Sequence, residues 1–230
     1  MRTLPAGLAS TLLLLLLASG CDDSASVTFP VADEFQIAAA DFSLPTALRA
    51  DTPAGPVVAS IPCGVCPSTS TVEVVCVAGV CDPAEQTIAI QVGDVIDFDM
   101  LVAGLDEFFL EVRSIEILDV EYNIPSNTMT IPIQEVEVFW APPGAAAPEP
   151  AMGARLLGVV PALAAMETGT GSVALDDAGN AALSEYVHST GSQIKLFART
   201  ATDLAPGGAF PEGSMQVQVK LIVRVVGEVI

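Results

Sequence analysis

Met215-Gln-Val-Gln-Val-Lys-Leu-Ile-Val-Arg-Val225 alternates over eleven residues. Met215, Val217, Val219, Leu221, Val223 and Val225 fall on one side, and Gln216, Gln218, Lys220 and Arg224 on the other. A period of two is that of an extended strand, whose successive side chains point to opposite faces of a sheet. One face here is apolar and the other wet. Working outward, residues 71–77, 86–92, 95–102 and 108–124 share the β-branched enrichment of strands. The last is too long for one regular strand. Its alternation slips at Ile117-Leu118, which predicts a bulge or a strand that changes sheets. Residues 129–140 slip likewise near Gln134, where Pro132 predicts an edge or a break.

Helical signals are sparse. Asn180 as a cap, Leu183 and Val187 four apart, and Gly191 as a stop predict one short helix near 180–190. Residues 141–150, Ala-Pro-Pro-Gly-Ala-Ala-Ala-Pro-Glu-Pro, read as a stiff Pro/Ala loop between strands, because neither half of the chain holds a full set of strands. Short strands, turn clusters such as Pro53-Ala-Gly-Pro56 and a single helix predict a mainly β chain, an antiparallel β-sandwich over residues 29–230. The pattern resembles secreted immunoglobulin-like and LEA-type sandwiches, a likeness of fold that brings no function with it.

The 230 residues carry 28 acidic and 8 basic side chains, a net charge of −20, yet 51% of them are hydrophobic. Intrinsic disorder needs low hydrophobicity beside high charge and is excluded. Nucleic acid is excluded as a partner because no basic stripe exists to replace phosphate counterions. The acidity is uneven: residues 22–149 hold 21 acids and two arginines, residues 150–230 seven acids and five bases. One acidic solvent face supplied by the first half is expected, repelling anionic headgroups and resisting aggregation.

The amino terminus has the parts of an export signal. Met1-Arg2 is a short positive start, and residues 8–18 are apolar, with six consecutive leucines from Leu12 to Leu17. Eleven residues at about 1.5 Å each span roughly half of a ~30 Å hydrocarbon core, so the run is a signal-peptide segment rather than a membrane span. It ends at Leu17-Ala18-Ser19-Gly20-Cys21, which resembles the lipobox of bacterial lipoproteins, with Ala18 where those proteins usually carry leucine. The resemblance implies a signal peptide over 1–20, acyl chains on Cys21, a flexible tether over 21–28 and a place in the bacterial cell envelope. The outer membrane is the favoured location, while Asp22 after the cysteine points to inner-membrane retention in some lineages.

Cysteine arithmetic agrees. Of five cysteines, setting Cys21 aside leaves Cys63, Cys66, Cys76 and Cys81, an even set. A redox site at Cys63-Gly-Val-Cys66 lacks the strand-to-helix setting that lowers a thiol pKa. A zinc site is poorly matched by the C-x2-C-x9-C-x4-C spacing and by an oxidising compartment. Two structural disulfides stapling residues 61–82 are expected. Three pairings are open; Cys63–Cys66 with Cys76–Cys81, the latter closing a hairpin over Val77-Ala-Gly-Val80, is among the simplest.

Asp94, Asp97 and Asp99 form the densest acidic cluster. In a strand Asp97 and Asp99 share a face, where hard oxygen ligands suit Ca²⁺, although no EF-hand loop accompanies them. An acidic solvent face is the simpler reading, as it is for Asp119 with Glu121 and Glu135 with Glu137. His188, the only histidine, falls at the end of the expected helix, where its charge complements the dipole. No nucleophile elbow, Walker loop or dinucleotide fingerprint is present, so no enzyme and no resident cofactor are expected. Trp140 is expected to plug the core at a strand end. The expected function is a lipid-anchored envelope protein with a non-catalytic structural or interaction role. It holds the membrane through its acyl chains and contacts another envelope component, with a Ca²⁺-dependent binding module using Asp94–Asp99 as the alternative.

Overall fold

In the computed structural model, which describes residues 24–67, 72–83, 85–98, 100, 109–189 and 193–229, strands dominate. In chain order they are β1 (Ser24–Ala38), β2 (Arg49–Thr52), β3 (Gly55–Val58), β4 (Val75–Val77), β5 (Val80–Asp82), β6 (Glu85–Asp97) and β7 (Phe109–Asn127). They continue with β8 (Val136–Ala141), β9 (Arg155–Val160), β10 (Gly169–Ser172), β11 (Ala174–Leu175), β12 (Gln193–Asp203) and β13 (Ser214–Val229), with helix α1 (Asp177–Ser189) before β12. One sheet has the order β1-β13-β7-β10 and the other β11-β9-β8-β12-β6; two hairpins, β2-β3 and β4-β5, stand outside them. All recorded pairs are antiparallel. Ile117, Leu221 and Val223 from the first sheet meet Val92, Trp140, Leu157 and Leu196 from the second in one core. This is the antiparallel sandwich that the alternation implies.

The alternating stretch occupies β13, which is paired on both sides. Its register with β1 is unbroken from Ser24 opposite Glu228 to Ala38 opposite Ser214. Its register with β7 is not: Met215–Val229 faces all nineteen residues of Phe109–Asn127, and β7 takes up the surplus as bulges. One surplus residue is Leu118, since Val223 lies opposite Ile117 and Ile222 opposite Asp119. Ile117 is fully buried while Leu118 is 40% exposed, so the slip read at Ile117-Leu118 is a bulge, and the strand keeps to one sheet. A second lies at Ile124-Pro125, where a residue without an N–H avoids the ladder. The break expected near Pro132 is also present: residues 128–135 leave the ladder, and β8 starts at Val136.

Four boundaries differ from expectation. The strand read over 71–77 is short, with β4 confined to Val75–Val77, and Thr71 lies outside the described residues. The strand read over 95–102 stops at Asp97, because Phe98 already turns helically. Helix α1 starts three residues before Asn180: its cap is Asp176, whose Oδ1 accepts the Gly179 N–H at 2.6 Å. Residues 24–28, read as part of a flexible tether, lie in β1 and are paired with β13, while residues 21–23 lie outside the described residues. The Pro/Ala segment is a loop between β8 and β9, as read. It packs Ala145 and Ala154 onto Phe139 and Phe197 and accepts the Lys195 ammonium at the Ala145 carbonyl, 3.2 Å.

Strand directions define two ends. β1 starts, β7 starts and β13 finishes at one end. The finish of β6, the start of β12 and the Pro/Ala loop lie there too. At the other end stand the excursion between β1 and β6, the loop before β13 and residues 128–135, joined by hydrogen bonds such as Thr128 N–H to the Ser214 carbonyl (2.9 Å) and Gln134 N–H to the Ala201 carbonyl (3.0 Å). At ~3.3 Å per residue, the fifteen residues of β1 separate the two ends by about 50 Å.

Candidate functional site

Between β1 and β6 the chain makes a long excursion at the end remote from Ser24. The first part is tied down by a small core of Leu48, Val58 and Phe210, joined by Leu44, Ile61 and Val74. β3 pairs its backbone with the loop before β13: the Val58 N–H donates to Gly208 and the Gly207 N–H to Val58, both at 2.8 Å. Arg49 clamps the same loop through Glu212 at 2.6 Å and also reaches Asp51 at 2.9 Å. The hydrogen bond with Asp51, together with both carboxylate charges, raises the guanidinium pKa against its partial desolvation, so Arg49 stays charged throughout the ordinary pH range.

The second part is stapled. Cys63 pairs with Cys76 and Cys66 with Cys81, so the four cysteines form two disulfides, and of the three open pairings it is not the one that joins Cys63 to Cys66 and Cys76 to Cys81. The reason lies in the hairpin. β4 and β5 turn over Ala78-Gly79 as the spacing suggested, and Cys76 and Cys81 stand directly opposite each other. From there each bridges to the preceding turn instead of to its neighbour. The Cys63 N–H to Gly79 carbonyl and Cys81 N–H to Ile61 carbonyl bonds, 3.1 and 2.8 Å, hold that turn against the hairpin. The crossed staples leave a tip whose outer surface shows Val65 at 70% and Val77 at 50% exposure. Cys81 is itself fully buried.

Each loop closes over 13 or 15 residues, and by the chain-entropy argument each bond contributes about 3 kcal/mol. Reduction is therefore expected to release the tip while leaving the sandwich folded. Hydrogen exchange checks this: the Cys63 and Cys81 amides lose protection on reduction, and the β13 amides keep theirs. Unchanged protection at Cys63 and Cys81 would show that the backbone bonds hold the tip without the staples.

Of the acidic cluster, the side chain described is that of Asp97. Asp97 ends β6, accepting the Met100 N–H at Oδ1 (3.2 Å) and the Gln193 side-chain amide at Oδ2 (2.7 Å), the work of a turn cap. Asp94 falls in a wide irregularity of β6, opposite the step from Ile194 to Leu196. Asp99 lies outside the described residues. Among the described residues, no three of His, Cys, Asp and Glu stand together as metal ligands.

The expected single acidic face is interrupted. Antiparallel pairing interleaves the two halves of the chain: Glu121 meets Lys220 at 2.8 Å, Glu116 meets Arg224, and Glu137 meets Arg199 at 2.8 Å. These pairs are exposed by about a third to a half on each side, so each is worth at most about 1 kcal/mol. Around them an amide ladder runs across three strands, Asn123 donating to Gln218 (2.8 Å) and Gln218 to Glu34 (3.1 Å), with Gln216 also donating to Glu34.

His188 lies in the last turn of α1, beside a shallow groove lined by Arg113, Glu116, Asp177 and Ser184. Trp140 plugs the core as expected; its Nε1–H donates to the Gly179 carbonyl at 2.9 Å, and its ring lies 5.3 Å from that of Tyr186. Cys21 lies outside the described residues.

No family model matches the sequence, and no curated protein is similar to it. Among solved structures, a chain from Desmodium yellow mottle tymovirus aligns with 100% of this chain and 95% of its own, at 11% identity and a TM-score of 0.27, a superposition too loose to carry an argument.

Proposed function

We propose that the chain is a lipid-anchored protein of the bacterial cell envelope, with a structural or interaction role and no catalysis. The observation that carries the reading is the use of the cysteines. Four of the five are consumed by two disulfides inside the sandwich domain, and the fifth is Cys21, at the end of a leucine-rich export signal. Disulfides of this kind persist in oxidising compartments outside the cytoplasm, which agrees with export. An acyl anchor works through buried methylenes, and more than one chain makes it stable. The stapled tip then serves as the contact surface, since its valines are held outward on a framework that cannot collapse over them.

The anchor is tested by mass spectrometry and fractionation of the full chain expressed with its own signal. The mature protein is expected to begin at an acylated Cys21 and to stay with membranes after a high-salt wash. Cys21→Ser is expected to release the folded domain in soluble form. An unmodified Cys21, or cleavage elsewhere, would reject the reading.

A further inference from the structure

We infer that the end of the sandwich bearing Ser24 is a lipid-contact surface, so that the domain stands end-on with its disulfide-stapled tip held away from the bilayer. The inference rests on acylation of Cys21 as proposed above. Whatever conformation the chain takes between them, Cys21 and Ser24 are three residues apart, and a fully extended chain spans only about 11 Å over that distance. Ser24 is not free to extend this reach, because β1 is paired with β13 in unbroken register from its first residue. A long flexible tether would let any face of the domain meet the membrane. This one does not.

The same end carries side chains suited to a lipid interface. Met100, 78% exposed, is held against the finish of β6 by its N–H bond to Asp97. Met152, 45% exposed, closes the Pro/Ala loop, a run whose only charged residue from Ala141 to Met152 is Glu149. Methionine is flexible and apolar, and it adapts to an irregular surface. The contact is an apolar one with zwitterionic lipid: the net charge of −20 opposes binding to an anionic surface. With this end on the lipid, the tip carrying Val65 and Val77 stands about 50 Å out, the length of β1.

The five methionines after the signal peptide supply the test. Full-chain, acylated protein carrying ¹³C-methyl methionine is placed in phosphatidylcholine nanodiscs, with and without nitroxide-bearing lipid. The Met100 and Met152 methyl signals are expected to lose most of their intensity when nitroxide is present. Met166, which is 63% exposed but lies at the remote end beside Met129, is expected to keep its signal. Equal loss at Met166, or retained signals at Met100 and Met152 in protein shown by mass spectrometry to be acylated, would overturn the end-on geometry. Protein that fails to join the nanodiscs and carries an unmodified Cys21 would instead overturn the anchor on which the geometry rests.

Discussion

Trp140→Ala is expected to lower the unfolding free energy by about 3–5 kcal/mol, read as a fall in the denaturant midpoint at unchanged slope. The indole is almost fully buried in the main core and is one of the points where α1 is fastened to the sandwich. Truncation leaves a cavity between the two and removes the donor to the Gly179 carbonyl. Trp140→Phe separates these contributions: it keeps most of the volume, loses the N–H, and is expected to cost nearer 1 kcal/mol. Gly179→Ala tests the other side of the joint. A Cβ there would stand 1.6 Å from the Leu156 carbonyl oxygen, so the helix must lift from β9. Glycine is a poor helix former, and its place here reflects this close approach. A loss below about 1 kcal/mol in both Trp140→Ala and Gly179→Ala would mean that α1 is dispensable to the core.

That joint also shows why parts of the fold were legible and others were not. Leu183 and Val187 announced a helix through their spacing, a local property. The true start depends on Asp176 reaching the Gly179 N–H. Asn180, which looked like the cap, instead uses its side-chain amide like a neighbouring strand, donating to the Ile117 carbonyl (2.7 Å) and accepting the Ile117 N–H (3.3 Å). That partner is 63 residues away, and local spacing carries no trace of it. The disulfides divide in the same way. The hairpin over Ala78-Gly79 follows from its turn residues, whereas the crossed pairing depends on where the preceding turn docks. The pairing of Glu116 and Glu121 with Arg224 and Lys220 was not legible, because counting charge by position along the chain ignores that β7 lies against β13. The bulge at Leu118 was legible because a slipped alternation is itself written in the residue order.

Two single-residue deletions at neighbouring places in one sheet are expected to have opposite outcomes. Deleting Ile222 from β13 is expected to abolish the folded domain. Residues after the deletion change faces, because the side-chain period of a strand is two. Val223 and Val225, both fully buried, move to the solvent face, and Arg224 moves into the core. Exposing two valines costs about 3–6 kcal/mol, and burying an unpaired guanidinium costs several more. Together these approach or exceed the about 5–15 kcal/mol that holds a typical domain folded. β13 has no slack with which to absorb the loss, since its register with β1 contains no bulge. Deleting Leu118, which faces the step between Ile222 and Val223, only removes the surplus residue. Ile117 and Val120 keep their inward faces, Asp119 stays outward, and the ladder becomes regular at this step. Circular dichroism and denaturant titration distinguish the outcomes: a cooperative transition is expected for the Leu118 deletion and none for the Ile222 deletion. If both deletions fold, or both fail, the bulge does not set the register of this sheet.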